Sequence, residues 1–105
     1  MPFAKLVHTN HRSATGAQLS GELLAEWRNP HAESREPIII KDGGGSKPVH
    51  LYVIWSAWQP VDQLERSEII MDVYEQVAGI EEAANVTIAM GLTEQEAHRL
   101  GIYYR

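Results

Sequence analysis

The chain has no cysteine in its 105 residues. That absence excludes disulfides, thiol nucleophiles and thiolate metal sites, and it suits a reducing compartment. Long apolar runs are missing as well. No stretch approaches the roughly 20 residues that a membrane helix needs, and the opening MPFAKLVHTNHRS lacks the apolar segment of a secretory signal. The expected location is therefore the cytoplasm, with no membrane partner. Positive charge is scarce, with 9 Lys and Arg against 14 Asp and Glu and a formal net charge of −5. Nucleic-acid affinity rests largely on basic groups that displace counterions from phosphates. The basic residues here, such as Lys41, Lys47, Arg66 and Arg99, are dispersed and mostly flanked by acids, which argues against a nucleic-acid partner. Repeats, low-complexity tracts and linker-like stretches are also absent, so one domain is expected.

What is present is a patterned, 44% hydrophobic chain, enough to fold one modest core. Residues 1–15 have weak periodicity and read as an arm or a short strand around Ala4–His8; residues 16–105 read as a single α+β domain. Leu19, Leu23, Leu24 and Trp27 recur along one helical face, and Asn29-Pro30 stops that helix. Ile38-Ile39-Ile40 is a β-branched run. Val49 to Ser56 alternates Val49, Leu51, Val53 and Trp55 with His50, Tyr52, Ile54 and Ser56, which predicts a second strand. Asp62 is placed to cap a helix striped by Ile70, Val73, Tyr74 and Val77, with Gly79 at its C-terminal cap. Val86, Ile88 and Met90 alternate in a third strand, and Thr93-Glu-Gln-Glu96 is a capping box that opens a short last helix.

The tract KDGGGSKPV raises a phosphate-loop question. A Walker-type loop runs from a strand into a helix, so that the helix N-terminus faces the phosphate. Here Gly43, Gly44, Gly45 and Lys47 lead through Pro48 into a strand, so the reading is a hairpin tip that is also a candidate contact element.

HLYVIWSAWQPVDQLERSEIIMDVYEQVAG, with Trp58 after the strand and Glu65-Arg66-Ser67-Glu68 at the head of the helix, and then TIAMGLTEQEA, resembles the BolA-like family, a relative of the KH fold. The resemblance covers roughly residues 38–97. It implies the order helix-strand-strand-helix-strand-helix, with a three-stranded sheet and helices packed on one face. The family's helix usually opens Arg-His-Arg, and here Arg66 alone stands at that place. In the family, a histidine near the start of the third strand is expected to share an iron–sulfur cluster with a monothiol glutaredoxin. Ala84, Asn85 and Val86 occupy the corresponding positions, and none can replace imidazole as an iron ligand. His50, near the place of a second family ligand, is then the candidate metal residue; its alternative is a polar residue on a half-exposed strand face. No resident cofactor is expected, and an iron–sulfur cluster enters only as one shared with a partner.

Other chemistry is thin in the sequence. His8 and His11 have the spacing of two ligands on one helical turn but sit in a segment without helical pattern. His31, in a polar loop, and His98, in the last helix, read as solvent-exposed. Asp62, Glu65, Glu68 and Asp72 read as a solvated helix face, and Ser67 has no nearby histidine and aspartate that the sequence alone can join into a triad. Trp55 and Tyr74 fit core positions. Trp58 fits either the core or a contact surface, because large aromatics dominate interface hot spots. Tyr103 and Tyr104 are expected to pack back on the sheet or to meet another subunit. The expectation is a non-enzymatic binding domain that touches a protein, either glutaredoxin-like or a second copy of itself, through Gly43, Gly44, Gly45, Lys47, Trp58 and Arg66. The rival readings are cluster sharing through His50 and KH-like nucleic-acid binding through Lys41, Lys47 and Arg66.

Overall fold

The computed structural model describes residues 12–31 and 35–102. Its first element is α1, Ala14–Arg28. Ser13 caps it, the hydroxyl accepting the Gly16 N–H at 2.9 Å. The helix therefore begins slightly before the boundary expected near residue 16. Arg12 joins the packed body too, donating to Asp72 at 2.6 Å. Leu19 and Leu23 are buried, with Leu24 and Trp27 packed beside them. The expectations for residues 1–11, including Ala4–His8, His8 and His11, and those for Tyr103 and Tyr104, lie outside the described residues.

Strand β1 is Ile38–Gly44 and β2 is Lys47–Ile54. They pair antiparallel around a two-residue turn at Gly45-Ser46, so that Gly43, Gly44 and Lys47 belong to the strands themselves rather than to a loose tip. The cause is glycine: Gly43, Gly44 and Gly45 all take positive φ. A Cβ on Gly43 would meet the Pro48 carbonyl oxygen at 1.9 Å. The strand thus continues through a bulge between Asp42 and Gly44, where most other residues would end it.

After a 3-10 turn at Ser56–Trp58 come α2, Gln63–Ala78, and a short α3, Ile80–Ala83. Asp62 caps α2 by accepting the Glu65 N–H at 2.9 Å. The Glu65 carboxylate does not turn back to complete a capping box. It reaches Ser13 instead, accepting its N–H at 2.9 Å and its hydroxyl at 3.0 Å, where an anion favours the N-terminus of α1. Gly79 ends α2 at φ 98. Strand β3, Val86–Leu92, then pairs parallel with β2, as a helical crossover allows. The last helix is α4, Glu94–Arg99, with the Thr93–Glu96 capping box in place.

The sheet order is β1-β2-β3. On its inner face Val49, Leu51 and Val53 are fully buried against residues of α1 and α2, among them Leu23, Ile69, Ile70 and Val73. Each such burial stabilises by about 1.5–3 kcal/mol. The element order is the expected helix-strand-strand-helix-strand-helix, and the fold is α+β. The helices are not all on one face, however. Ala97 of α4 packs with Ile54 and Leu92 on the outer face, and Ile102 joins them.

Candidate functional site

Two of the residues expected at a contact surface are instead inside the molecule. Trp58 has no exposed surface and Arg66 is 5% exposed. The 3-10 turn folds the Trp58 indole back under β2, where its Nε1–H donates to the Val53 carbonyl at 3.0 Å. The ring meets Trp55 edge-on with centroids 5.1 Å apart. Arg66 follows it inward because carbonyls converge there. Its Nε donates to Val61 at 2.7 Å, Nη1 to Gly91 at 2.9 Å, and Nη2 to Trp58 at 2.9 Å. Nη1 also pairs with Glu96 Oε1 at 2.8 Å, which supplies the countercharge that a buried guanidinium needs.

This corner also closes the free edge of β3. Gln63 exchanges two hydrogen bonds with the Gly91 backbone, and Ser67 donates to the Ala89 carbonyl at 2.7 Å. An edge so occupied is no template for another strand. Gly91 has to be glycine, since a Cβ there would lie 2.8 Å from the Trp58 ring and 2.9 Å from Arg66 Cβ. Glu96 is held ionised below its ordinary value. The Thr93 N–H is the main cause, burial works against it, and Arg66 adds to the lowering.

The remaining expected contacts are accessible. Gly43, Gly45 and Lys47 are exposed and Gly44 is half-buried at the hairpin tip. His50 is half-buried on the outer face, with Asp42 across from it on β1 and Ile88 on β3. Among the described residues no three metal-ligating side chains converge, around His50 or elsewhere.

From His50 the outer face runs on as apolar surface. Ile38, Ile40, Tyr52, Ile88 and Met90 are each half-buried there by the strand registers; among the described residues α4 covers the end at Ile54 and Leu92, and all of the five but Ile88 pack against that cluster. The sequence displays this alternation openly, but it does not say which half of each strand the helices will cover.

A second feature was not expected. Between the end of α1 and the start of β1 lies a cleft of about 380 Å³, lined by Glu26, His31, Arg35, Glu36 and Trp55 among others. The Glu26 side chain is 8% exposed; Oε2 accepts the His31 backbone N–H at 2.8 Å and Oε1 pairs with His31 Nδ1. Burial pushes this carboxyl up, but the His31 backbone and ring bonds, with charge from His31 and Arg35, outweigh it and hold Glu26 below its ordinary value. His31 is exposed as expected, yet it is partnered. Glu36 accepts the Ser56 N–H and hydroxyl at 2.9 and 2.8 Å, fixing the far wall. The described lining carries both signs of charge beside the Trp55 ring, a mixture suited to polar recognition. Glu26 was legible in principle: it stands seven residues from Leu19 and three from Leu23, on the buried stripe of α1.

No family model, curated protein or solved structure matches the chain. The described residues include no helix long and apolar enough to cross a membrane.

Proposed function

We propose that this chain is a small protein-binding domain of BolA-like type, and that the outer face of its sheet, bordered by the hairpin tip, is the surface that binds. One observation carries the reading. Where a sheet is covered on one side only, the uncovered half of each strand is ordinarily polar. Here that half is Ile38, Ile40, Tyr52, Ile88 and Met90, each half-buried. Contiguous apolar surface of this kind, rimmed by polar groups such as Asp42 and Lys47, is the pattern of a protein contact. The hairpin residues Gly43, Gly45 and Lys47 extend the surface at its open end. Trp58 and Arg66 act on it indirectly, by fixing the sheet beneath.

Site-specific photo-crosslinking tests the reading. A benzoylphenylalanine at position 52 should yield protein adducts in the cells that make the chain, and the same group at position 75, on the helical side, should not. Met90→Glu should remove the position-52 adducts while leaving the circular dichroism unchanged. Equal adducts from both positions, or none from position 52, would reject the proposal.

A further inference from the structure

Backbone pairing leaves one edge of the sheet open. The Val49 N–H donates to the Asn85 carbonyl at 3.0 Å and the Trp55 N–H to that of Leu92 at 2.8 Å, so the odd-numbered residues of β2 turn their main-chain groups toward β3. The even-numbered ones, His50, Tyr52 and Ile54, turn theirs toward β1, opposite Asp42, Ile40 and Ile38. Between those pairs the N–H and C=O groups of Ile39 and Lys41 point away from the sheet. Among the described residues no hydrogen bond joins them to another element. The β3 edge differs, since Gln63 and Ser67 occupy its backbone at Gly91 and Ala89.

The devices that blunt an edge are an outward lysine, a proline or a bulge. Lys41 Nζ lies 5.9 Å from the Tyr74 ring centroid, so that side chain is turned in toward α2. Pro37 precedes β1 and the bulge follows Asp42, so neither interrupts Ile38–Asp42.

We infer that this edge takes an extended peptide as an added antiparallel strand, one that carries a basic residue followed by two apolar residues at alternate positions. The identity of this partner rests on the reading of the outer face as a protein-binding surface and deepens it. The complement of a row of main-chain donors and acceptors is another extended main chain, with alternate side chains giving selectivity. Area points the same way. Three strands about 4.8 Å apart, with some five residues each at about 3.3 Å, give an outer face of roughly 14 by 17 Å. That is about a third of the roughly 800 Å² a folded partner covers in a stable complex. A strand supplies what the area lacks, because it adds main-chain bonds.

Charge sets the order of the peptide. The outer side of β1 runs Ile38, Ile40, Asp42, with His50 across from Asp42 and Lys47 beyond the bulge, opposite Gly44. An antiparallel strand therefore meets the Asp42 carboxylate first and the two isoleucines after it. The formal net charge of −5 also draws in a basic peptide and repels an acidic one.

Hydrogen exchange on the ¹⁵N-labelled full chain, with and without the synthetic peptide acetyl-Lys-Thr-Val-Thr-Val-amide, is the test. In the free chain the Ile39 and Lys41 amides should exchange at least tenfold faster than those of Ile40 and Asp42, which β2 holds. Millimolar peptide should slow Ile39 and Lys41 several-fold. N-methylating its two threonines keeps every side chain but removes the donors that face Ile39 and Lys41, and should weaken binding tenfold or more. Asp42→Lys should reverse the preference, favouring the peptide that begins with aspartate. Slow exchange at Ile39 and Lys41 in the free chain would show the edge already filled and overturn the inference. Protection that rises with protein concentration alone would overturn it in favour of a second copy. Equal binding of the methylated peptide, or no effect of the plain one at millimolar concentration, would overturn it as well. Position-52 adducts without any peptide effect would drop the strand and keep the face; a chain that gives no position-52 adducts loses the face, whatever the peptide does.

Discussion

On one side of β2, Val49, Leu51 and Val53 have no exposed surface; one residue along the chain in each case, His50 and Tyr52 remain half-open, and Ile54 closes only beneath α4. The inner side is wholly aliphatic, whereas the outer side mixes Ile54 with the polar-tipped His50 and Tyr52. What also differs is the number of layers available to cover them. With α1 and α2 committed to the inner face, the described residues give the outer face only α4, of six residues, and Ile102. The lesson of the contrast is that closure of a strand residue follows from the layer packed on its side.

Arg66 joins the two faces, since its partners Trp58 and Val61 lie toward the inner core and Glu96 belongs to α4. Arg66→Ala should therefore have the largest effect. It strips four hydrogen bonds from a buried site and should cost about 3–5 kcal/mol in urea denaturation. A loss under 1 kcal/mol on the same scale would mean that the faces are held together by something else.

Truncations on the two faces sharpen the contrast itself. Leu51→Ala on the inner face should cost about 2–5 kcal/mol, as large-to-small changes in a closed core do. Ile40→Ala on the outer face should cost about 1 kcal/mol, since its methyl groups are only partly removed from water. Equal losses would show that the outer face is as closed as the inner one. Gly91→Ala comes next, at about 1–3 kcal/mol, because the added methyl overlaps the Trp58 ring.

The smallest effect is in acid. Both Glu26 and Glu96 ionise below the ordinary 4.5 when folded. The unfolded chain thus takes up their protons first, and the stability they contribute is complete above 4.5 and lost as the pH falls through their folded values. Denaturation midpoints should drop in that window, and Glu26→Gln should make the drop shallower. An unaltered slope in that variant would show that the His31 pairing does not set the acid sensitivity of the cleft corner.

How much of this was legible before any coordinates depends on the range of the interaction. The caps at Asp62, Thr93 and Gly79 and the alternation in β2 are local, and each stands where the sequence places it. Arg66 defeated a local reading, and for Trp58 that reading left the core and a contact surface both open. Their burial is decided by carbonyls at Val61 and Gly91 and by Glu96 up to 30 residues away, which no spacing around Arg66 reveals. The Glu26–His31 pair fell between the two cases. Its partners are five residues apart, and the glutamate lies on a visibly buried stripe, but charge and loop composition disguise it. Of the binding surface, the hairpin tip was readable; the sheet face needed the helices to be placed first.

The most direct test of the open outer face is a soluble paramagnetic probe, read on the methyl signals of the ¹³C-labelled chain. Signals of Ile40, Ile88 and Met90 should broaden strongly, while those of Leu51, Val53 and Ile70 stay sharp. Equal broadening on the two sides, or sharp signals from Ile40, Ile88 and Met90, would contradict the account.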